Sequence, residues 1–144
     1  MSATTRWLLG VVIGVSLCIL IYRYTLGPGR LMSRAAVAKN LATASAELNR
    51  RLPIMVDSMT ELESTIAMDS VLQYNMRLTS MTITQEQATA LRNIVRPEIT
   101  RLACSKPDTR TTFLKRGVSL RYSYTDRNGY DLFTINVAPR DCGF

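Results

Sequence analysis

The sequence predicts an α+β fold, in which an N-terminal transmembrane helix is followed by a helix–hairpin–helix–hairpin domain with a four-stranded antiparallel sheet. Three observations lead to this prediction: one continuous apolar run, two segments with helical periodicity, and two segments in which apolar and polar residues alternate. The helices are expected to cover the apolar face of the sheet. The residues beyond the apolar run are enough for one small core, so residues 31–144 are predicted to form a single domain.

The first 26 residues are predicted to be a membrane anchor. From Trp7 to Tyr22 only small and apolar residues occur, apart from Ser16. Aromatic residues stand at both ends, as at the two interfaces of a bilayer. With its flanks the run reaches about 18 residues, near the lower limit for a span. A cleaved signal peptide is the alternative, but no small-x-small cleavage site follows the run. Residues 27–30 are predicted to be a Gly-Pro-Gly elbow.

The first helix of the domain is predicted from Leu31 to Leu52. Pro53 ends it, because the residue before a proline avoids the helical conformation. The stripe predicted to face the sheet is Val37, Leu41, Ala44, Leu48 and Leu52. The same stripe could form a short coiled coil with a second copy, so a homo-oligomer remains open.

Two strands are predicted next, joined by a turn at AMDS. In Thr60 to Ile66, Leu62 and Ile66 are expected on one side. In Val71 to Ser80, apolar and polar residues alternate strictly, which is typical of a half-buried strand. Its predicted inward residues are Leu72, Tyr74, Met76 and Leu78.

The second helix is predicted to begin at Thr84, because Thr84 and Gln87 have the spacing of a capping box. Pro97 is expected to kink or split it. Its predicted apolar stripe is Ala88, Leu91, Val95 and Leu102, with Ile94 and Ile99 beside it. One or two further helical turns are expected before Gly117.

The last hairpin is predicted around Asn128-Gly129, the residues preferred in a type I′ turn. If these two residues form the loop, the register places apolar and aromatic pairs on one face and mostly polar pairs on the other. The first set is Tyr124 with Phe133, Tyr122 with Ile135, and Leu120 with Val137. The second is Thr125 with Leu132, Ser123 with Thr134, and Arg121 with Asn136.

Cys104 and Cys142 are predicted to form a disulfide. Cys104 ends the second helix, and Cys142 lies in a tail that returns to the base of the last hairpin. Two unrelated thiols are the alternative. A disulfide predicts an oxidising compartment such as the bacterial periplasm. The basic residues after the apolar run, by contrast, favour a cytoplasmic domain. We give the cysteines more weight and predict a single-pass inner-membrane protein with a periplasmic domain.

Most catalytic and cofactor chemistry is disfavoured. The chain has no histidine, and it lacks zinc-ligand spacing, a phosphate-binding loop and a nucleophile elbow. No catalytic residues, metal or cofactor are therefore predicted. The net charge of +7 comes from scattered arginines, which are typical of a solvated surface, so no nucleic-acid partner is predicted. Arg92 and Arg96 lie one turn apart and are the candidate contacts for an anion or a partner.

Three segments carry a resemblance to a known group of proteins. They are LNRRLPIMVDSMTELEST, YNMRL and KRGVSLRYSYTDRNG. They resemble a group of small bacterial membrane-anchored envelope proteins that share an LNxxLPxxVDxxTxL segment, a YxYxDxxG hairpin and two cysteines. The group has no settled activity. The resemblance therefore implies the fold, the cysteine pairing and a bacterial origin.

The function predicted from these observations is binding without catalysis. The chain is expected to contact the membrane through its span and another envelope protein through its domain, as an accessory or assembly component of an envelope machine. The alternative is an immunity or exclusion protein that neutralises an incoming toxin or conjugation apparatus.

Overall fold

The computed structural model describes residues 29–144, with side chains from residue 34 onward. Its helices are α1 (Gly29–Asn49), α2 (Gln85–Ser105) and α3 (Pro107–Thr112). Its strands are β1 (Ile54–Met55), β2 (Thr60–Met68), β3 (Val71–Leu78), β4 (Ser119–Thr125) and β5 (Asp131–Val137). Two 3₁₀ turns cover Leu114–Arg116 and Pro139–Cys142. The prediction of an α+β domain is confirmed.

The chain divides into two compact units, Met1–Ala36 and Val37–Phe144. The predicted anchor, residues 1–26, lies outside the described residues, as do residues 27–28 of the predicted elbow. Gly29 and Arg30 belong to α1. Within residues 29–144, no helix has the length and hydropathy needed to cross a bilayer.

The sheet has five strands in the order β1-β2-β3-β4-β5, and it is mixed. The predicted four-stranded antiparallel sheet is wrong in two respects. The strands β3 and β4 are parallel neighbours, with Leu72 opposite Leu120 and Tyr74 opposite Tyr122. They are parallel because α2 and α3 lie between them in the chain and return it to the starting end of β3. The second difference is β1, which pairs with Leu62 and Glu61 of β2.

The first predicted hairpin is confirmed as β2 and β3, which pair antiparallel around a turn at Asp69. The inward residues predicted for β3 are correct, but of the two predicted for β2 only Leu62 faces inward. A β-bulge between Leu62 and Ser64 shifts the alternation by one residue. As a result Leu62 and Thr65 are buried, whereas Ile66 is 44% exposed.

The last hairpin confirms five of the six predicted pairs, from Leu120 opposite Val137 to Tyr124 opposite Phe133. The sixth is wrong, because a register shift beyond Tyr124 places Thr125 opposite Asp131. The loop is therefore longer than two residues. It is held by Asp126, whose Oδ1 accepts hydrogen bonds from the backbone N–H groups of Asn128 (2.8 Å) and Tyr130 (2.9 Å).

Helix α1 faces the sheet through Leu41 and Ser45, which are both buried. It ends at Asn49, earlier than predicted, and Leu48 of the predicted stripe is exposed. Polar Ser45 takes an inward position because its hydroxyl lies 2.9 Å from that of Thr65.

Helix α2 has the predicted capping box at Thr84 and runs through Pro97 without being split. Pro97 is exposed, so the carbonyl that loses its helical donor there can bond to water. Ala88 and Ala103 are its buried residues, and Leu91, Val95 and Ile99 pack against the core. Leu102 of the predicted stripe and Ile94 beside it are exposed instead, because the contacting face follows residues 88, 91, 95, 99 and 103.

The core lies between this helical layer and one face of the sheet. Its completely buried large side chains are Leu72, Leu114, Leu120, Ile135, Val118 and Val137. Stacked rings extend it across the strands, with Tyr74 and Tyr122 at 5.1 Å and Tyr124 and Phe133 at 4.8 Å. The opposite face of the sheet is polar. There Arg77 bonds to Glu61 (2.6 Å) and Glu63 (3.1 Å).

Candidate functional site

The structure joins Cys104 and Cys142 in the predicted disulfide, with a Cα–Cα distance of 5.2 Å. Cys104 lies near the end of α2, and Cys142 ends the 3₁₀ turn Pro139–Cys142. The bond therefore attaches the C-terminal turn to the second helix.

A recess of about 590 Å³ opens beside this bond. It is lined by Arg96, Pro97, Thr100, Arg101, Cys104 and Asp141, and we call it the disulfide recess. Five of its six residues come from α2. They share one side of the helix because residues three and four positions apart lie next to one another. Asp141 closes the recess from the C-terminal turn.

Of the two arginines in the recess, one is paired with a carboxylate and the other is not. Arg101 donates to Glu98 with an Nε–Oε2 distance of 2.9 Å. That hydrogen bond lowers the pKa of Glu98 and raises the pKa of Arg101. Arg96 is exposed, and no carboxylate lies within 4.0 Å of it among residues 34–144. Its guanidinium is therefore the uncompensated cation of the recess.

The two predicted contact residues, Arg92 and Arg96, have different surroundings. Arg92 is half-buried, and its Nε donates to the backbone carbonyl of Thr134 at 3.3 Å. That bond attaches α2 to the outer edge of β5. Arg96 is exposed and lines the disulfide recess. Arg92 is thus occupied by a hydrogen bond within the fold, whereas Arg96 is available to a ligand.

The C-terminal turn is held by more than the disulfide. Asp141 Oδ2 accepts a hydrogen bond from the backbone N–H of Ala138 at 2.8 Å. The guanidinium of Arg110 lies 4.4 Å from the centre of the Phe144 ring, and the Lys115 ammonium lies 5.8 Å from it. These contacts fix the wall of the recess that Asp141 provides.

A second, much smaller cleft of about 70 Å³ lies between α1 and the region of α3. Leu41 and Val118 line it and are buried, while Asn40 and Arg116 are exposed. It is far smaller than the disulfide recess, which is therefore the better candidate for a binding site.

The residues of the LNxxLPxxVDxxTxL segment have structural roles. Asn49 bonds both backbone groups of Thr65: the Thr65 N–H donates to its Oδ1 at 2.7 Å, and its Nδ2 donates to the Thr65 carbonyl at 2.9 Å. Asp57 Oδ1 accepts from the N–H groups of Met59 and Thr60, both at 2.8 Å. Burial raises the pKa of Asp57, but the hydrogen bonds from Met59 and Thr60 outweigh it and leave the pKa lowered. The segment therefore builds the junction of α1, β1 and β2.

Sequence reasoning did not identify four residues of the recess, namely Pro97, Thr100, Arg101 and Asp141. A signal was present, because the predicted disulfide places Asp141 beside the last turns of the second helix. Among the residues that the structure describes, no group of three or more His, Cys, Asp or Glu could hold a metal ion. What the recess offers is an exposed guanidinium next to apolar lining from Pro97 and the disulfide.

Comparison by sequence found no match, either to a protein-family model or to a curated protein. Solved structures with a similar fold do exist. One is a protein of Pseudomonas aeruginosa described as secreted, with a TM-score of 0.64 at 18% identity. The match covers 76% of this chain and 96% of that one.

Two further structures are pilotins of type II secretion systems. EpsS of Vibrio vulnificus has a TM-score of 0.60 at 14% identity, covering 78% of this chain and 97% of its own. AspS of Vibrio cholerae has a TM-score of 0.60 at 16% identity, and the match covers 78% of this chain and 98% of AspS. This chain therefore shares the fold of these three proteins. At these identities the likeness establishes the fold alone.

Proposed function

We propose that the chain is a non-enzymatic, membrane-anchored binding module that acts as an accessory or assembly component of a bacterial envelope machine. The observation that carries this proposal is the fold shared with two type II secretion pilotins over 97% and 98% of their lengths. Because one fold hosts many functions, the proposal also needs support from this chain's own residues.

The first support concerns the compartment. Disulfides persist in oxidising compartments such as the periplasm and are rare in the cytosol. The bond between Cys104 and Cys142 therefore favours a domain held outside the inner membrane by residues 1–26. The positive charges that follow the apolar run favour the opposite orientation, so the proposal needs a direct test of compartment.

The second support is that several carboxylates already serve the fold. Glu61 and Glu63 are paired with Arg77, and Asp57 and Asp126 accept backbone hydrogen bonds. Groups used in this way hold strands and turns in place. The exposed guanidinium of Arg96 is instead suited to recognising a partner.

The compartment is tested in intact cells that express the full chain. Proteins are trapped with acid, and free thiols are alkylated before and after reduction. We expect the peptides of Cys104 and Cys142 to be alkylated only after reduction. If both are alkylated without reduction, the periplasmic placement is wrong.

The binding function is tested by photo-crosslinking in the native bacterium. A photoreactive residue replaces Thr100 in the recess, and the control carries it at Asn128 in the β4–β5 loop. We expect a component of an envelope assembly to be crosslinked from position 100 but not from position 128. If an incoming toxin or conjugation protein is crosslinked instead, the chain is an immunity or exclusion protein and this proposal fails. It also fails if neither position yields a crosslinked protein.

A further inference from the structure

We propose that the disulfide recess binds an acidic segment of a partner protein, and that the guanidinium of Arg96 receives a carboxylate of that segment. This inference rests on the proposed function, since it specifies the chemistry of the partner that the binding module recognises. Three features of the recess support it: its shape, its charge and its lining.

The shape is that of a preformed site. A volume of about 590 Å³ accommodates several side chains of a peptide. Arg96, Thr100 and Cys104 lie on successive turns of α2, and the disulfide fixes the opposite wall at Asp141. A rigid wall lowers the entropy cost of binding, because the site need not be ordered when the ligand arrives.

The charge favours an anionic ligand. Arg96 has no carboxylate partner among residues 34–144, whereas neighbouring Arg101 is bonded to Glu98. The only acid in the lining, Asp141, is bonded to the backbone of Ala138. The planar guanidinium of an arginine can bond both oxygens of a carboxylate, which selects a carboxylate over a neutral amide.

The lining favours a peptide over a membrane surface. Recognition of anionic lipid usually relies on a cluster of four or more basic residues on an accessible face. The recess has two arginines, and one of them is already paired. Pro97 and the disulfide add apolar surface beside the guanidinium. A carboxylate next to an apolar side chain matches this combination better than a lipid headgroup does.

The test uses the full chain in phosphatidylcholine nanodiscs, with empty nanodiscs as the blank. The probes are a fluorescent peptide of alternating Leu and Glu and its Leu and Gln counterpart. Fluorescence anisotropy should show binding of the acidic peptide and at least about tenfold weaker binding of the amide peptide. Arg96→Glu should weaken binding of the acidic peptide by about tenfold.

The matched control is Arg127→Glu, which makes the same change in net charge on the exposed β4–β5 loop. It should change the affinity less than about twofold. Circular dichroism should show the same melting for both variants, since neither side chain is buried. Equal weakening by Arg96→Glu and Arg127→Glu would mean that only net charge matters, and the inference would be wrong.

Three other outcomes would also overturn the inference. The acidic peptide could fail to bind, or both peptides could bind alike. Alternatively, Arg96→Glu could weaken binding only when the nanodiscs contain phosphatidylglycerol. That result would identify a lipid headgroup as the ligand. Failure of the proposed function looks different: the acidic peptide would still bind, but position 100 would crosslink no envelope protein in cells. If that crosslink forms and Arg96→Glu leaves it unchanged, the function stands and this inference fails.

Discussion

Replacing both Cys104 and Cys142 with serine is expected to lower the free energy of unfolding by about 4 kcal/mol. The bond joins residues 38 positions apart. For a loop of that length, the chain-entropy relation gives a loss of about 13 cal/mol/K in the unfolded state, or about 4 kcal/mol at 25 °C. The double replacement is preferred because a single one would leave a free thiol.

Urea unfolding of the full chain in detergent measures this loss, with near-ultraviolet circular dichroism of the stacked Tyr74 and Tyr122 as the signal. With a slope of about 2 kcal/mol/M, the midpoint should fall by about 2 M. Cys18→Ser is the control and should leave the midpoint unchanged. A loss below about 1 kcal/mol in the double variant would refute the reasoning. It would mean that other contacts, such as Phe144 against Arg110, hold the tail without the bond.

The remaining predictions concern other contacts of the fold. Asn49→Ala should lower the free energy of unfolding by about 1–3 kcal/mol, because both backbone groups of Thr65 lose their partner; a similar loss in Asn40→Ala, also on α1, would contradict that cause. Gly117→Ala should cost about 1 kcal/mol in the same assay, because Gly117 has φ +81°; an unchanged midpoint would show that the turn relaxes. Burial, with a smaller contribution from the Asp57 carboxylate, raises the pKa of Tyr124 to about 12. The corresponding stability is complete below the unfolded pKa near 10 and is lost as pH rises toward about 12, so the difference in absorbance at 295 nm between this chain and its Tyr124→Phe variant should appear together with unfolding; a difference that appears near pH 10 in the folded chain would contradict this.

Local features of the fold were predictable because neighbouring residues determine them. The capping box at Thr84 was correct, since it depends only on Thr84, Gln87 and the backbone between them. The register of the last hairpin was correct for five pairs because the alternation and the turn agree. The error at Thr125 arose because the side chain of Asp126 organises a longer loop than Asn128-Gly129 alone would require.

Non-local features were not predictable from these patterns. Whether β3 runs parallel to β4 depends on the end of the sheet to which α2 and α3 return the chain. No local sequence pattern indicates that end. The bulge beside Leu62 reverses the orientation of Ile66 because Asn49, distant in sequence, pairs with Thr65. The strand β1 has two residues, too few to show any periodicity.

The candidate site was predictable only in part. The sequence identified Arg92 and Arg96 as a pair from their spacing, yet their surroundings differ because Arg92 reaches the carbonyl of Thr134. Spacing along a helix shows which side chains are neighbours, but it does not show what packs against them. The recess itself depends on the C-terminal turn, whose position follows from the disulfide.

Helix side chains bond to backbone groups near both margins of the sheet, and this limits how a partner can bind. On one side β1 is short and follows Pro53, and Asn49 bonds to the backbone of β2 beyond it. On the other side Arg92 bonds to the carbonyl of Thr134 in the edge strand β5. Short edges and bonded edge groups disfavour the addition of a foreign strand. A protein partner is therefore expected to contact side chains on the helical layer, where the disulfide recess presents Arg96, rather than to extend the sheet.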